Sequence, residues 1–176
     1  MTHSEQEFRD EPRPLTGNFM PASNVTSQIL LAEDNAADVA LVREALQEHS
    51  VSCALHVVKD GAEAIGFIER LDEDRREPRL DLLLLDMHLP KRDGEDILRR
   101  LRSTERYAQT PVIVMTASTS PRDQEAAEKH AALHYFRKPS SAAQFLKLGA
   151  IIEDILSGRS RRGAKPARER TQGGAA

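Results

Sequence analysis

Leu82 to Leu85 is an unbroken apolar run that ends in a carboxylate, Asp86, and leads directly into Met87-His88-Leu89-Pro90. A run this short and this apolar predicts a strand buried on both faces, as in a parallel sheet. We read that strand from Leu80 to Asp86. Comparable blocks lie on either side: Ser27 to Asn35, apolar and then acidic; Ser52 to Val58; Pro111 to Met115, leading to Thr116; and Ala132 to Phe136. Between these blocks the apolar residues recur at helical spacing. Val39, Leu41, Val42, Ala45 and Leu46 mark a helix over 36–49, and Ala64, Ile65, Ile68 and Leu71 one over 62–71. Ile97, Leu98 and Leu101 form the stripe of a helix over 94–102, while 121–130 is polar with a weak alanine face. Phe145, Leu148, Ile151, Ile152 and Ile155 predict one last helix running to Leu156, with Ser140 or Ser141 as its cap. Asp60-Gly61 reads as a turn, and Pro90 with Asp93-Gly94 as a loop entering a helix. Five strands alternating with five helices predict an α/β fold: a doubly wound, five-stranded parallel sheet of (βα)5 type, covered on both faces.

The ends of the chain break this pattern. Residues 1–26 are polar and proline-containing, and 158–176 are rich in Arg, Gly and Ala; both are expected to be disordered, leaving 27–157 as the folded domain. The formal net charge is −3, but the last segment holds six basic residues against Glu169. An acidic core with a basic tail argues against a nucleic-acid-binding fold in the core. Arg159, Arg161, Arg162, Lys165, Arg168 and Arg170 could still contact phosphates, although such a run is more often a solvated tail. No apolar run approaches the roughly 20 residues of a membrane span, and the acidic N-terminus is no signal peptide, so a cytoplasmic protein is expected. The single cysteine, Cys53, excludes an internal disulfide and reads as a small buried hydrophobe.

The chemistry lies in what terminates the strands. The first ends in Glu33 and Asp34, the third in Asp86, the fourth in Thr116, and the fifth is followed by Lys138-Pro139. In a parallel sheet these ends share one edge, where ligands of open α/β sheets bind. Clustered carboxylates repel one another unless a cation sits among them. Oxygen ligands without sulfur point to a hard cation, Mg²⁺ first. A carboxylate beside a divalent ion, an ammonium and a hydroxyl is arranged to attack phosphorus. Taken singly, each residue has a plainer role: Glu33 or Asp34 could cap the helix that begins at Ala36, Asp86 could cap a loop, and Lys138 could be solvated. Their joint placement favours a site.

The order Glu33-Asp34, Asp86, Thr116, Lys138-Pro139, with the loop from Asp86 to Gly94, resembles a response-regulator receiver domain of two-component signalling. The resemblance covers about residues 27–157 and implies a flavodoxin-like receiver fold. It implies that Asp86 is the phosphoacceptor, loaded from the phosphohistidine of a sensor histidine kinase. It also implies Mg²⁺ held by Asp34 directly, by Glu33 through water, by Asp86, and by the backbone carbonyl of His88. Thr116 and Lys138 would bind the phosphoryl group, and Tyr135 would be the aromatic that turns inward on activation. Glu33-Asp34-Asn35-Ala36-Ala37-Asp38, Thr116-Ala117-Ser118 with Asp123, and Lys138-Pro139-Ser140 further resemble single-domain regulators paired with phytochrome-type kinases. That similarity implies a homodimer through the fourth helix, fifth strand and fifth helix. His88, two residues beyond the acceptor, departs from the usual residue and is expected to tune the phosphoryl lifetime.

A stand-alone phosphoacceptor switch is the expected function, not an enzyme, with output through protein contact or relay to a histidine phosphotransfer protein. Two other readings remain: a binding module that works without phosphorylation, and an aspartyl-phosphate phosphatase. The latter would need an acid at the position His88 occupies.

Overall fold

The computed structural model describes residues 26–158. The expected disordered arm and basic tail therefore lie outside the described residues, apart from Thr26 and Gly158. Five parallel strands form one sheet: β1 (Ser27–Ala32), β2 (Cys53–Val58), β3 (Leu82–Asp86), β4 (Val112–Thr116) and β5 (His134–Arg137), in the order β2-β1-β3-β4-β5. The helices are α1 (Ala36–Glu48), α2 (Gly61–Glu73), α3 (Gly94–Ser103), α4 (Pro121–Lys129), α5 (Ala142–Phe145) and α6 (Lys147–Leu156). This is the doubly wound parallel α/β fold read from the pattern, in the flavodoxin-like form that the resemblance implies.

The leucine run explains the architecture. All four leucines of β3 are fully buried, and they alternate. Leu83 and Leu85 enter a core with Ala64 and Ile68 of α2, Ile97, Leu98 and Leu101 of α3, and Ala126 and Ala127 of α4. Leu82 and Leu84 enter a second core with Val42 and Leu46 of α1, Phe145 of α5, and Leu148, Ile152 and Ile155 of α6. A strand with period-2 side chains can be uniformly apolar only if both its faces are covered, as here. Each fully buried leucine contributes about 1.5–3 kcal/mol.

The structure corrects several boundaries. β1 stops at Ala32, so Glu33, Asp34 and Asn35 form a loop rather than the end of the strand. Asn35 caps α1 by accepting from the Ala37 N–H at 2.9 Å, a role open to Glu33 or Asp34 on sequence alone. Asn35 itself donates its backbone N–H to Glu33, turning that carboxylate back toward the sheet edge. The single last helix is two: the chain tightens at Leu146, whose carbonyl accepts from the Gly149 N–H three residues on. Neither serine caps it through its hydroxyl. Ser141 holds the cap position, but only its carbonyl is used, by Gln144 and Phe145. Tyr107, in the turns before β4, is nevertheless fully buried and donates its hydroxyl to the Leu71 carbonyl at 3.1 Å. No described helix is long and apolar enough to cross a membrane.

Candidate functional site

The carboxyl ends of β1, β3, β4 and β5 meet as the topology requires. β1 pairs with β3 up to Ala32–Leu85, β3 with β4 up to Asp86–Met115, and β4 with β5 up to Thr116–Arg137. The Lys138 N–H then donates to the Thr116 carbonyl at 2.9 Å, which sets Lys138 beside the end of β4. Its ammonium reaches across to Glu33 at 2.6 Å and Asp86 at 2.5 Å. It also meets Asp38 in the first turn of α1 at 2.9 Å.

This ammonium is almost enclosed, with its side chain 9% exposed. Burial alone would lower the basicity of Lys138. Hydrogen bonds to Asp86, Glu33 and Asp38 outweigh it and hold the lysine well above its ordinary value. Glu33 shows the opposite balance. Burial pushes its carboxyl up, and the bond to Lys138 only partly brings it back. Asp34 is exposed at the rim. One oxygen from each of Glu33, Asp34 and Asp86 lies within 4.8 Å of the others. An all-oxygen cluster of this size fits a hard divalent cation.

The remaining walls are built by local bonds. Asp86 accepts from the His88 N–H at 2.8 Å, folding the loop back onto its own carboxylate. Gly94 donates to the Met87 carbonyl and Gly61 to that of Pro90, so the loop is pinned to the starts of α3 and α2. A Cβ at Gly61 would stand 2.1 Å from the Arg92 carbonyl oxygen, which excludes any larger residue. Lys91, in the left-handed region at φ 66°, pairs with Asp60, the side-chain cap of α2. That pair holds the Asp60 carboxyl below its usual range. Thr116 is fully buried and accepts from the Ser118 N–H at 3.0 Å. Tyr135 is half-buried against the α2–α4 core; burial, then the charge of Asp123, raises its hydroxyl's pKa.

Glu33, Asp34 and Lys138 gather around the Asp86 carboxylate, which His88 meets through its backbone N–H; Thr116 ends the adjacent strand, and Tyr135 lies on the strand beyond that. Two contacts were not foreseen. Asp38 is a third carboxylate on Lys138; it lay in the quoted acidic stretch, and its place one helical turn beyond Asp34 was the available signal. The second is the His88 imidazole, whose Nε2 meets Asp123 Oδ2 at 2.9 Å. Thirty-five residues separate the two, so no local pattern links them.

A family model for the response regulator receiver domain matches residues 29–149. The chain belongs to that family. It is 33% identical over 133 residues to the response regulator Rcp1 of Synechocystis sp., covering 76% of this chain and 90% of that protein. The crystal structure of the phosphorylated cyanobacterial phytochrome response regulator RcpA superposes with a TM-score of 0.68 at 30% identity, covering 76% of this chain and 96% of that one. The Mn²⁺-bound form of Rcp1 gives a TM-score of 0.65 at 32% identity, covering 73% and 92%. The receiver fold and the kinship with phytochrome response regulators are thus established, and in this receiver the acidic cluster occupies the edge where the sequence placed it.

Proposed function

We propose that this receiver is a phosphoacceptor switch rather than an enzyme with an external substrate. Asp86 takes a phosphoryl group from the phosphohistidine of a sensor histidine kinase. The observation that carries this reading is the Lys138 ammonium held at once against Asp86, Glu33 and Asp38. A positive charge fixed in a dry site beside a carboxylate favours the charge that accumulates on a transferring phosphoryl group. In the transfer an Asp86 oxygen forms the new bond to phosphorus while the phosphorus–nitrogen bond of the donor breaks, and the imidazole leaves with that bond's electron pair.

Glu33, Asp34 and Asp86 would hold Mg²⁺, with the His88 backbone carbonyl as a neutral fourth oxygen. When bound, the ion supplies further neutralisation of the phosphoryl oxygens. Thr116 carries the hydroxyl for one phosphoryl oxygen, and releasing it from the Ser118 N–H would loosen the loop into α4. Tyr135, on the neighbouring strand, would follow that movement inward. The altered surface of α4, β5 and the last helices would serve output as a homodimer contact or toward a histidine phosphotransfer protein. Kinship with Rcp1 and RcpA supports a kinase of phytochrome type and a cytoplasmic setting.

The test is labelling with acetyl phosphate and Mg²⁺, and with phosphorylated phytochrome-type kinases, followed by chase. The wild type should take one acid-stable, base-labile phosphoryl group and Asp86→Asn none. Label persisting in Asp86→Asn would sink the assignment.

A further inference from the structure

The first loop beyond the acceptor is tied to α4 by a side-chain bridge. His88 is the residue whose N–H bonds Asp86, and its imidazole Nε2 meets Asp123 Oδ2 at 2.9 Å. The two partners differ in freedom. The Asp123 side chain is 10% exposed and that of His88 61%. Asp123 sits in the first turn of α4, where its N–H donates to the Ser120 carbonyl. The buried carboxylate is therefore the anchor and the exposed imidazole is the group being held. Behind the bridge lies a cleft of about 220 Å³ between the starts of α3 and α4, lined by Met87, His88, Asp93, Glu95 and Asp123 among others. Asp86 does not line that cleft, whereas His88 does.

We propose that Asp123 is a positioning residue that acts through His88: it holds the imidazole as a wall between the phosphoacceptor and the solvent-filled cleft beside α4, and so lengthens the life of the phosphoryl group. This rests on Asp86 being the acceptor. Loss of the group is hydrolysis. A water oxygen bonds to phosphorus as the bond from phosphorus to the Asp86 oxygen breaks. Asp86 leaves as a carboxylate with the bond's electron pair, and the protons of the water leave with the phosphate. A wall fixed at both ends limits water's approach from the cleft; a ring anchored only through its own backbone does not. Because the anchor belongs to α4, any contact that shifts α4 also opens the wall, which couples the signalling face to the lifetime.

The experiment compares wild type, Asp123→Ala, Asp123→Asn, His88→Ala and the His88→Ala/Asp123→Ala double variant. Each is phosphorylated with acetyl phosphate and Mg²⁺, freed of donor, and followed on phosphate-affinity gels. Asp123→Ala should shorten the lifetime by about tenfold, the change given by a barrier lowered by ~1.4 kcal/mol. Asp123→Asn, whose amide oxygen still accepts from the imidazole, should stay within about twofold of wild type, because an amide oxygen takes the place of the carboxylate oxygen in the same geometry. The double variant should match His88→Ala, since a residue acting only through His88 has nothing left to position. Unchanged decay in Asp123→Ala, acceleration of equal size with His88 absent, or a failure of Asp123→Asn to restore the lifetime would overturn the proposal. Thermal melts of each variant separate these outcomes from loss of fold. If the wild type takes no phosphoryl group, the acceptor reading falls and this one with it; if it does and Asp86→Asn does not, only the wall is in question.

Discussion

Replacing Lys138 by methionine keeps the length of the side chain and removes its charge. The Lys138 side chain is 9% exposed and its ammonium bonds Glu33, Asp38 and Asp86. Glu33 has no exposed side-chain surface, so its carboxylate would be left buried without a cation. Removing one partner of a buried ion pair costs about 3–5 kcal/mol. The chain can recover part of this by protonating Glu33. Burial already holds that carboxyl above its ordinary value, and loss of Lys138 would raise it further. A carboxyl raised in the folded state contributes stability that is complete below its unfolded value and is lost as pH rises through the folded value. The deficit of Lys138→Met against wild type is therefore expected to be larger at about pH 8 than at about pH 5. Lys138 itself, raised well above the ordinary lysine value, stays charged across that window and adds no slope of its own. Magnesium should then act as a substitute cation: at 100 times its Kd it adds about 2.7 kcal/mol to the variant, and the deficit narrows because the variant, lacking the ammonium, binds the ion more tightly than wild type. Urea unfolding followed by circular dichroism, at both pH values with and without Mg²⁺, measures all three effects. A variant as stable as wild type at the higher pH without metal would refute the reasoning. So would a deficit indifferent to both pH and Mg²⁺.

Other consequences can be measured on the same footing. Arg102 donates to four backbone carbonyls, those of His130, Ala131, Ala108 and Thr110, joining the end of α4 to the loop before β4; Arg102→Met should cost about 2–4 kcal/mol in urea unfolding, because charged donors are lost and carbonyls stranded. Gly149 lies where a Cβ would stand 2.3 Å from the Ala45 carbonyl oxygen, so Gly149→Ala should push α6 off α1 and cost about 1–3 kcal/mol by thermal melt. Asp34→Asn should weaken Mg²⁺ binding in calorimetry by about tenfold or more, since one direct charge contact is worth a few kcal/mol at effective ε ~20. The same substitution should leave metal-free stability unchanged or slightly higher, because it removes one member of a like-charged cluster.

Sequence alone determined the class of fold and the site's main members, and for a physical reason. Strand burial on two faces and helix burial on one write themselves into the chain as local periods, so Leu82–Leu85 and the stripe of Ile97, Leu98 and Leu101 announce their own environments. A parallel sheet then forces the residues after each strand onto one edge, which is why Glu33, Asp34, Asp86, Thr116 and Lys138 could be grouped before any coordinate was known. Where elements end was less legible. The stop of β1 at Ala32 and the break at Leu146 depend on which carbonyl the next N–H finds, and propensity barely distinguishes those choices. What only the tertiary structure decided were the contacts between elements. Asp38 joins Lys138 across 100 residues because α1 starts beside the chain that follows β5, Tyr107 is buried because it packs into the core beside α2 and α3, where its hydroxyl finds the Leu71 carbonyl, and His88 finds Asp123 because α4 begins beside the loop that follows Asp86. Each such pairing is set by packing between elements distant in the chain, and no local period records it.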